Sequence, residues 1–153
     1  MYSYQFDVPV EQFEKDAKHL MYEHWQELGL NKDKIILNPD FIKYKQLQEV
    51  GVLKNVVVYK NNQAIGYSVI FLEPNLHYSE HLMAKVDIIY VSKENRSGSV
   101  GARLLIATES IAKSCGASVI MHHAKPHADM IVKPLEKLGY SLYEYIYGKY
   151  LGD

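Results

Sequence analysis

The sequence has few of the features that mark secreted, membrane-bound or disulfide-bonded proteins. Its 153 residues include one cysteine, Cys115, so no internal disulfide can form. The N-terminus has no signal-peptide pattern, and no apolar run reaches the roughly 18 residues that a membrane span requires. Basic side chains number 17 and acidic ones 18. We therefore expect a cytoplasmic protein, with neither a membrane nor nucleic acid as a partner.

Signs of disorder and of multiple domains are also missing. The chain has no low-complexity segment and no repeat, and 48% of its residues are hydrophobic against 23% charged. A chain of this length and composition predicts a single domain over residues 1–153. Two well-known phosphate loops are absent as well. No glycine-rich loop ends in Gly-Lys-Ser/Thr, and no stretch fits the GxGxxG dinucleotide pattern.

The segment 86–105 is the most informative part of the chain. An apolar strand leads through a polar turn into a loop of small residues, and the loop opens a helix rich in alanine and leucine. Small residues let the backbone approach a ligand closely. The unpaired N–H groups and positive dipole at the start of the helix favour phosphate oxygens, as does Arg96. The segment predicts an anion site for a nucleotide-like cofactor.

Residues 96–101, Arg-Ser-Gly-Ser-Val-Gly, resemble the acyl-CoA loop of the GNAT superfamily of N-acetyltransferases, (Arg/Gln)-x-x-Gly-x-(Gly/Ala). Arg96 and Gly101 match the pattern, and Ser99 stands where the family usually has its first glycine. Residues 135–140, Leu-Glu-Lys-Leu-Gly-Tyr, resemble a helix ending common in the family. The segment 123–126, His-Ala-Lys-Pro, with the tyrosine-rich C-terminus, further resembles GNAT-like proteins encoded by tailed phages.

The hydrophobic periodicity predicts an order of elements that the resemblance also implies. We expect strands at 6–10, 53–60, 63–72, 82–91, 118–123 and 140–147, and helices at 10–28, 38–51, 98–115 and 127–138. The predicted fold is therefore α/β (α+β). The GNAT resemblance implies a mixed, largely antiparallel sheet of about six strands flanked by about four helices. It also implies that a splayed pair of strands holds acyl-CoA.

The resemblance implies acetyl-CoA (CoA) as the cofactor and assigns contacts to it. Main-chain contacts fall on the loop strand, at Ile89, Tyr90 and Val91. The phosphate contacts fall on Arg96, Ser97, Gly98, Ser99, Val100, Gly101 and Ala102. His127 lies beside a position where many relatives carry an asparagine that contacts the cofactor. The implied reaction is direct attack on the acetyl group, in a ternary complex, by a primary amine of a small molecule or protein.

Three residues are candidates for the acid–base chemistry. Asp87 is the favoured base, because it lies in an apolar strand and we expect it to share the strand face of Ile89 and Val91. The alternative is that Asp87 anchors a loop through hydrogen bonds to backbone N–H groups. His123 is the second candidate, since of the adjacent pair His122 and His123 only one can face the cleft. Glu80 is the third, in a loop at 73–80 that we expect on the acceptor side.

Other features leave alternatives open. Leu135 stands where many GNAT enzymes carry a tyrosine that protonates the departing thiolate, so the acid would be another tyrosine or none. Tyr143, Tyr145 and Tyr147 share one strand face, which indicates a packed aromatic face or the interface of a homodimer. His19 and His24 are five apart on a helix and lack the spacing of metal ligands, so we predict no metal. A non-catalytic virion, regulatory or interaction protein with the GNAT fold is the alternative function.

Overall fold

We analysed a computed structural model that describes residues 1–152. A central sheet lies between two helical layers, one formed by the first two helices and the other by the third helix. The strands are β1 (Tyr2–Phe6), β2 (Leu53–Lys60), β3 (Gln63–Pro74), β4 (Leu82–Val91) and β5 (Ala117–His122). The α-helices are α1 (Val10–Leu28), α2 (Phe41–Glu49), α3 (Val100–Ser114) and α4 (Val132–Lys137), with 3₁₀ turns at Lys93–Asn95 and Asp129–Ile131.

The five strands follow one another in the sheet in chain order. The first three pairings are antiparallel, and β4 and β5 are parallel, with α3 as the crossover between them. Asn61 and Asn62 both have positive φ, as the tight hairpin between β2 and β3 requires. The predicted mixed, largely antiparallel sheet is confirmed.

A separate hydrophobic core fills each side of the sheet. Phe13, Leu20 and Tyr67 are among the buried residues where α1 and α2 pack on the sheet. On the opposite face, Val86 and Leu104 belong to the core beneath α3. Alternation along the strands supplies both cores, because neighbouring side chains point to opposite faces.

Two predicted boundaries near the N-terminus are wrong. The first strand is Tyr2–Phe6 and not 6–10, because Asp7 turns the chain with a φ of 51° and Pro9 leads directly into α1. The second helix begins at Phe41 and not at Asn38, because the Asp40 carboxylate caps it by accepting a hydrogen bond from the Lys43 N–H at 2.9 Å.

The predicted sixth strand at 140–147 does not form, so the sheet has five strands among the described residues. Gly139, with a φ of 90°, ends α4, and the Tyr140 N–H closes the turn by donating to the Leu135 carbonyl. Residues 141–149 then follow an extended, exposed course without backbone hydrogen bonds to other described residues. Alternating aromatic residues favour a strand only where a neighbouring strand supplies hydrogen bonds.

The last helical segment also differs from the prediction at 127–138. A 3₁₀ turn at Asp129–Ile131 comes first, and the α-helix occupies only Val132–Lys137. Within residues 1–152, no helix combines the length and the apolar character needed to span a membrane.

Candidate active site

A β-bulge in β4 marks the centre of the candidate site. Val86 pairs with Ile70 and Ile88 pairs with Val69, so Asp87 is the extra residue between them. A bulge bends a strand and redirects the side chain it carries, and bulges are frequent next to active sites. Here the bulge lies where β4 and β5 separate.

The separation of β4 from β5 follows from the register. Val86 and His122 form the last pair, and β5 ends there. Beyond it, β4 continues through Val91 with pairing to β3 on one side only. The predicted splayed pair is therefore present, and the edge that β4 opens includes Ile89, Tyr90 and Val91.

Asp87 was predicted to share the strand face of Ile89 and Val91, and the bulge shows this to be wrong. Ile89 and Val91 pack on the α3 side, whereas Ile88 and Tyr90 pack against α1 and α2. Val86 belongs to the core beneath α3, so the next residue, Asp87, points to the α1 and α2 side of the sheet, as Ile88 does. The prediction assumed unbroken alternation, which the inserted residue interrupts.

The loop at 96–101 that we predicted to bind phosphate lies between the end of β4 and the first turn of α3. Gly98 has a φ of 76°, a left-handed conformation that favours glycine. Arg103 is the first residue of α3 whose N–H reaches a helical acceptor, the Ser99 carbonyl at 2.9 Å. The N–H groups of Val100, Gly101 and Ala102 precede it and have no acceptor within the helix. A Cβ added at Gly101 would meet no atom within 4 Å, so the space beside the first turn of α3 at Gly101 is open.

The Arg96 side chain, a predicted phosphate contact, is held by three hydrogen bonds within the protein. Its Nη1 and Nη2 atoms each donate to a carboxylate oxygen of Glu27 at 2.7 Å, and Nε donates to the Val91 carbonyl at 2.8 Å. The guanidinium also lies over the Tyr90 ring, at 5.2 Å from its centroid. This bidentate pair fixes the loop to the end of α1. Arg96 thus positions the backbone N–H groups of the loop.

Glu27 is a residue that the sequence analysis missed. Hydrogen bonding from Arg96 lowers the pKa of its carboxyl, so Glu27 is ionised at neutral pH. The Tyr90 hydroxyl donates to it at 3.2 Å. Through this contact, Tyr90 is buried on the α1 side of the sheet. Burial is the main reason why the pKa of the Tyr90 hydroxyl rises to about 12. Sixty-nine positions separate Glu27 from Arg96, and no local pattern connects them.

A second group that the analysis missed is a set of aromatic and polar side chains beside Asp87. The His24 ring stacks on Tyr90 with centroids 4.8 Å apart, and its Nδ1 is 3.3 Å from the Tyr67 hydroxyl. Tyr44 of α2 stacks on Phe13 and lies near Asp87. Burial raises the pKa of Tyr44 to about 12 and lowers that of His24 to about 4, so both side chains are neutral at pH 7. The sequence offered one sign of this group, because His24 lies on the otherwise apolar face of α1.

Asp87 itself is exposed to solvent and has no hydrogen bond to another described residue. Nearby protein atoms nonetheless desolvate the carboxylate enough to raise its pKa, while the positive charge of His123 acts in the opposite direction. Without hydrogen bonds from backbone N–H groups, Asp87 lacks the partners that a loop anchor requires. The structure brings Asp87 and His123 together at the splayed edge.

His122 and His123 face opposite sides of the sheet. His122 pairs in register with Val86, on the α3 side, and its ring makes an edge-on contact with Tyr140 at 5.3 Å between centroids. Both ring nitrogens of His122 are buried without a hydrogen-bond partner among residues 1–152. Burial, and to a lesser degree the charge of His123, lowers the pKa of His122 to about 4.

We expect the His122→Phe variant to be less sensitive to acid than the wild type. A histidine whose pKa is 6.5 unfolded and about 4 folded stabilises the fold fully above pH 6.5, and this contribution is lost as the pH falls towards 4. The difference corresponds to roughly 3 kcal/mol at most. Phenylalanine keeps the contact with Tyr140 and does not titrate. Urea unfolding at pH 7, 5.5 and 4.5 would measure the difference, with exposed His19→Phe as the matched control. If His122→Phe shows the same pH dependence of unfolding as the wild type, His122 is not the source of the acid sensitivity.

Glu80 lies at the other end of β4. It is exposed in the loop before Leu82, where the Asn75 side chain accepts hydrogen bonds from the N–H groups of His77 and Tyr78. His81 of the same loop contacts Ser118 at the start of β5. At about 3.3 Å per residue, Glu80 is roughly 20 Å along the strand from Asp87. The structure does not bring Glu80 to Asp87 and His123.

The segment after β5 returns to the phosphate loop. Lys125 donates to the Leu28 carbonyl at the end of α1 at 2.7 Å, and Met130 Sδ lies 3.8 Å from Arg96 Nη1. His127 is exposed in the turn between Lys125 and Ala128, which form an isolated bridge. His127, a predicted cofactor contact, thus lies in the segment that borders the site. Its ring has no hydrogen-bond partner among residues 1–152.

Tyr140 lies close in sequence to Leu135, the usual position of the tyrosine acid, and its hydroxyl is engaged elsewhere. Leu135 is buried in the core. Tyr140 faces away from the splayed edge, and its hydroxyl donates to Glu109 at 2.9 Å. Burial and this hydrogen bond raise the pKa of Tyr140. The hydroxyl of Tyr44 has no hydrogen-bond partner among the described residues, and the charge of Asp87 contributes to raising its pKa.

The comparison with solved structures places this architecture among known folds. One similar structure is an aminoglycoside acetyltransferase from an uncultured soil metagenomic sample, with a TM-score of 0.77 at 15% identity over 99% of this chain and 95% of the other. Another is ribosomal-protein-alanine N-acetyltransferase from Brucella melitensis biovar Abortus 2308, with a TM-score of 0.74 at 14% identity over 99% and 100%. The chain has the GNAT fold.

This chain is similarly close to a structure named as a transcriptional regulator from Bacillus halodurans C-125. The TM-score is 0.78, at 14% identity over 98% of this chain and 100% of the other. No family model and no curated protein sequence matches the chain. At these identities the comparisons establish the fold, and the activity is argued from the site.

Proposed function

We propose that this protein is an N-acetyltransferase that moves an acetyl group from acetyl-CoA to a primary amine. The observation that carries the proposal is the coincidence of three features at one edge of β4. They are the bulge at Asp87, the separation from β5 immediately after Val86, and the open helix start at residues 100–102.

The residues present fit an acyl-CoA. The open N-terminal turn of α3 offers backbone donors and a positive dipole to a diphosphate, and the small side chains of Ser97, Gly98 and Gly101 leave room for it. The unpaired edge of β4 at 89–91 offers backbone groups to the amide-containing arm of CoA. When bound, acetyl-CoA supplies an activated thioester.

The acceptor amine would approach from the α1 and α2 side, where Asp87 and Tyr44 face each other. Asp87, directly or through water, takes a proton from the ammonium group. The amine nitrogen would then bond to the thioester carbonyl carbon, the carbon–sulfur bond would break, and the second proton of the nitrogen would pass to the departing thiolate or to water. The Glu27–Arg96 pair keeps the loop rigid, so that positioning supplies much of the rate.

The two acetyltransferase neighbours act, by their names, on an aminoglycoside and on a ribosomal-protein alanine. We propose an acceptor of the same chemical class, a primary amine of a small molecule or a protein. Thiol release from acetyl-CoA would be measured with aminoglycosides, polyamines and alanine-terminated peptides. Release that depends on one acceptor class, with the acetyl group found on its amine by mass spectrometry, would establish the activity.

Binding is the first test of the proposal. Acetyl-CoA at about 100 times its Kd stabilises the native state by roughly 2.7 kcal/mol, or about 5–10 °C in Tm for a domain of this size. Adenosine monophosphate at the same concentration is the control. The absence of a shift at millimolar acetyl-CoA and CoA would contradict the proposal.

Two observations favour a non-catalytic protein as the second candidate. Leu135 is buried at the usual place of the tyrosine acid, and a structural neighbour is named as a transcriptional regulator. A protein of this kind would bind acetyl-CoA without consuming it. Binding in the first test together with no thiol release against any acceptor would favour this candidate.

A further inference from the structure

The helices α1 and α2 cover the sheet only as far as β4. No side chain of β5 belongs to the core that these two helices form with the sheet, within residues 1–152. On the opposite face, by contrast, Ala117 and Ile120 of β5 pack against the core beneath α3. The face of β5 that lies on the same side as Asp87 is therefore without a helix over it.

The strand register identifies the side chains on this face. Met83 pairs with Val119, and the next residues, Ala84 and Ile120, pair with each other and pack on the α3 side. Because neighbouring side chains alternate along a strand, Met83, Val119 and Met121 point to the side of α1 and α2. All three are partly buried, and none belongs to either core of the described chain. We call these three side chains the open apolar face.

A single unpaired carboxylate borders the open apolar face on β4. Lys85, which pairs in register with Met121, forms an ion pair with Glu73 at 2.8 Å. Asp87, two residues further along β4, has no ion pair with a described residue. A ligand on this face would therefore meet an apolar surface and, at one end, one uncompensated negative charge.

We propose that the acceptor is an amine with one positive charge and an apolar body, whose ammonium group meets Asp87 and whose body lies on the open apolar face. This proposal rests on the acetyl transfer proposed above. Small-molecule sites commonly combine an apolar lining with a few polar groups that fix the orientation of the ligand. At about 3.3 Å per residue, Met121 and Val119 lie roughly 7 and 13 Å along the sheet from the level of Asp87. An alkyl or aryl chain can therefore extend over both.

Charge argues against a polycation, such as a polyamine or an aminoglycoside, on the same face. Its further ammonium groups would lie on Met121 and Val119 without a carboxylate, or beside the ammonium group of Lys85. An unpaired charge that is removed from water costs free energy, and like charges repel. The face should therefore favour a monoamine over a diamine of equal length.

The first test is acetyl-CoA-dependent thiol release with primary alkylamines of increasing length. We expect kcat/KM to rise about two- to fourfold for each added methylene, the gain from burying a methylene group in part or in full. Hexylamine should be at least about tenfold better than the diamine of equal length. A polyamine or aminoglycoside that is preferred over every monoamine would overturn this proposal and leave the acetyl transfer intact.

Two variants connect that gain to the open apolar face. Met121→Gln combined with Val119→Thr keeps the size of both side chains and makes them polar, so the gain should fall below about 1.5-fold per methylene. Ile106→Gln makes the matched change at an exposed position of α3, across the sheet, and should keep the wild-type gain. Circular dichroism would show that both proteins fold. An unchanged gain in the folded double variant would overturn the proposal.

Binding can be measured apart from turnover, through the ¹³C-labelled methyl groups of the methionines. Met83→Leu and Met121→Leu would assign the two signals of the open apolar face. With CoA present, hexylamine should shift both signals and leave that of Met21, which is buried under α1, in place. Shifts without thiol release from acetyl-CoA would support the face as an amine site and contradict the acetyl transfer. Signals that ignore the amine, or that change with protein concentration because a second copy covers the face, would overturn the proposal.

Discussion

The Asp87→Asn variant is expected to lose about 10²- to 10⁴-fold in turnover while it binds acetyl-CoA as the wild type does, the range for loss of a general base. Asparagine preserves the shape of the side chain and cannot take a proton from the ammonium group. Stability should hold or rise slightly, because Asp87 has no hydrogen bond to lose and its carboxylate is partly desolvated. Steady-state kinetics, acetyl-CoA titration and thermal unfolding would measure the three quantities.

The pH dependence provides a second readout of the same change. Burial raises the pKa of Asp87 above its usual value, so wild-type turnover should fall as the pH drops through that raised pKa. The residual activity of Asp87→Asn should lack this acid limb. Asp33→Asn, at an exposed position without hydrogen bonds among the described residues, is the matched control. Full activity in a well-folded Asp87→Asn would remove Asp87 from the mechanism and move attention to His123.

The Gly101→Glu variant should fold normally and fail to bind CoA. The added side chain has open space, and a carboxylate in the first turn of a helix interacts favourably with the helix dipole. The same carboxylate would occupy the volume and oppose the charge of a diphosphate. We expect an unchanged or higher Tm without ligand and no shift with acetyl-CoA, measured by thermal unfolding and calorimetric titration.

Two variants separate the causes of that loss. Ile106→Glu adds a carboxylate at an exposed position of the same helix and should keep the shift. Gly101→Ala adds only a methyl group, should stabilise the helix by about 0.5–1 kcal/mol, and should weaken binding less than glutamate does. If Gly101→Glu retains the full acetyl-CoA shift, the cofactor binds elsewhere on the protein.

Local patterns determined much of the fold. The apolar spacing in 10–28 produced α1 at the predicted residues, and Asn61-Asn62 produced the hairpin. The order of strand, small-residue loop and helix placed the phosphate loop between β4 and α3. These features depend on residues close in sequence, where propensity and periodicity act directly. The motifs shared with the GNAT family then identified the fold.

Contacts between distant segments decided the rest. The partner of Arg96 is Glu27, on a helix far away in the chain, so the sequence could not show that the arginine positions the loop. The parity of Asp87 changed because β3 and β4 pair with a bulge. Residues 140–147 carry a strand pattern, yet they form no strand, because a strand needs backbone hydrogen bonds to a neighbour and no described strand, the edge strand β5 included, pairs with them. Sequence set the local conformations, and only the tertiary structure decided which side chains meet at Asp87.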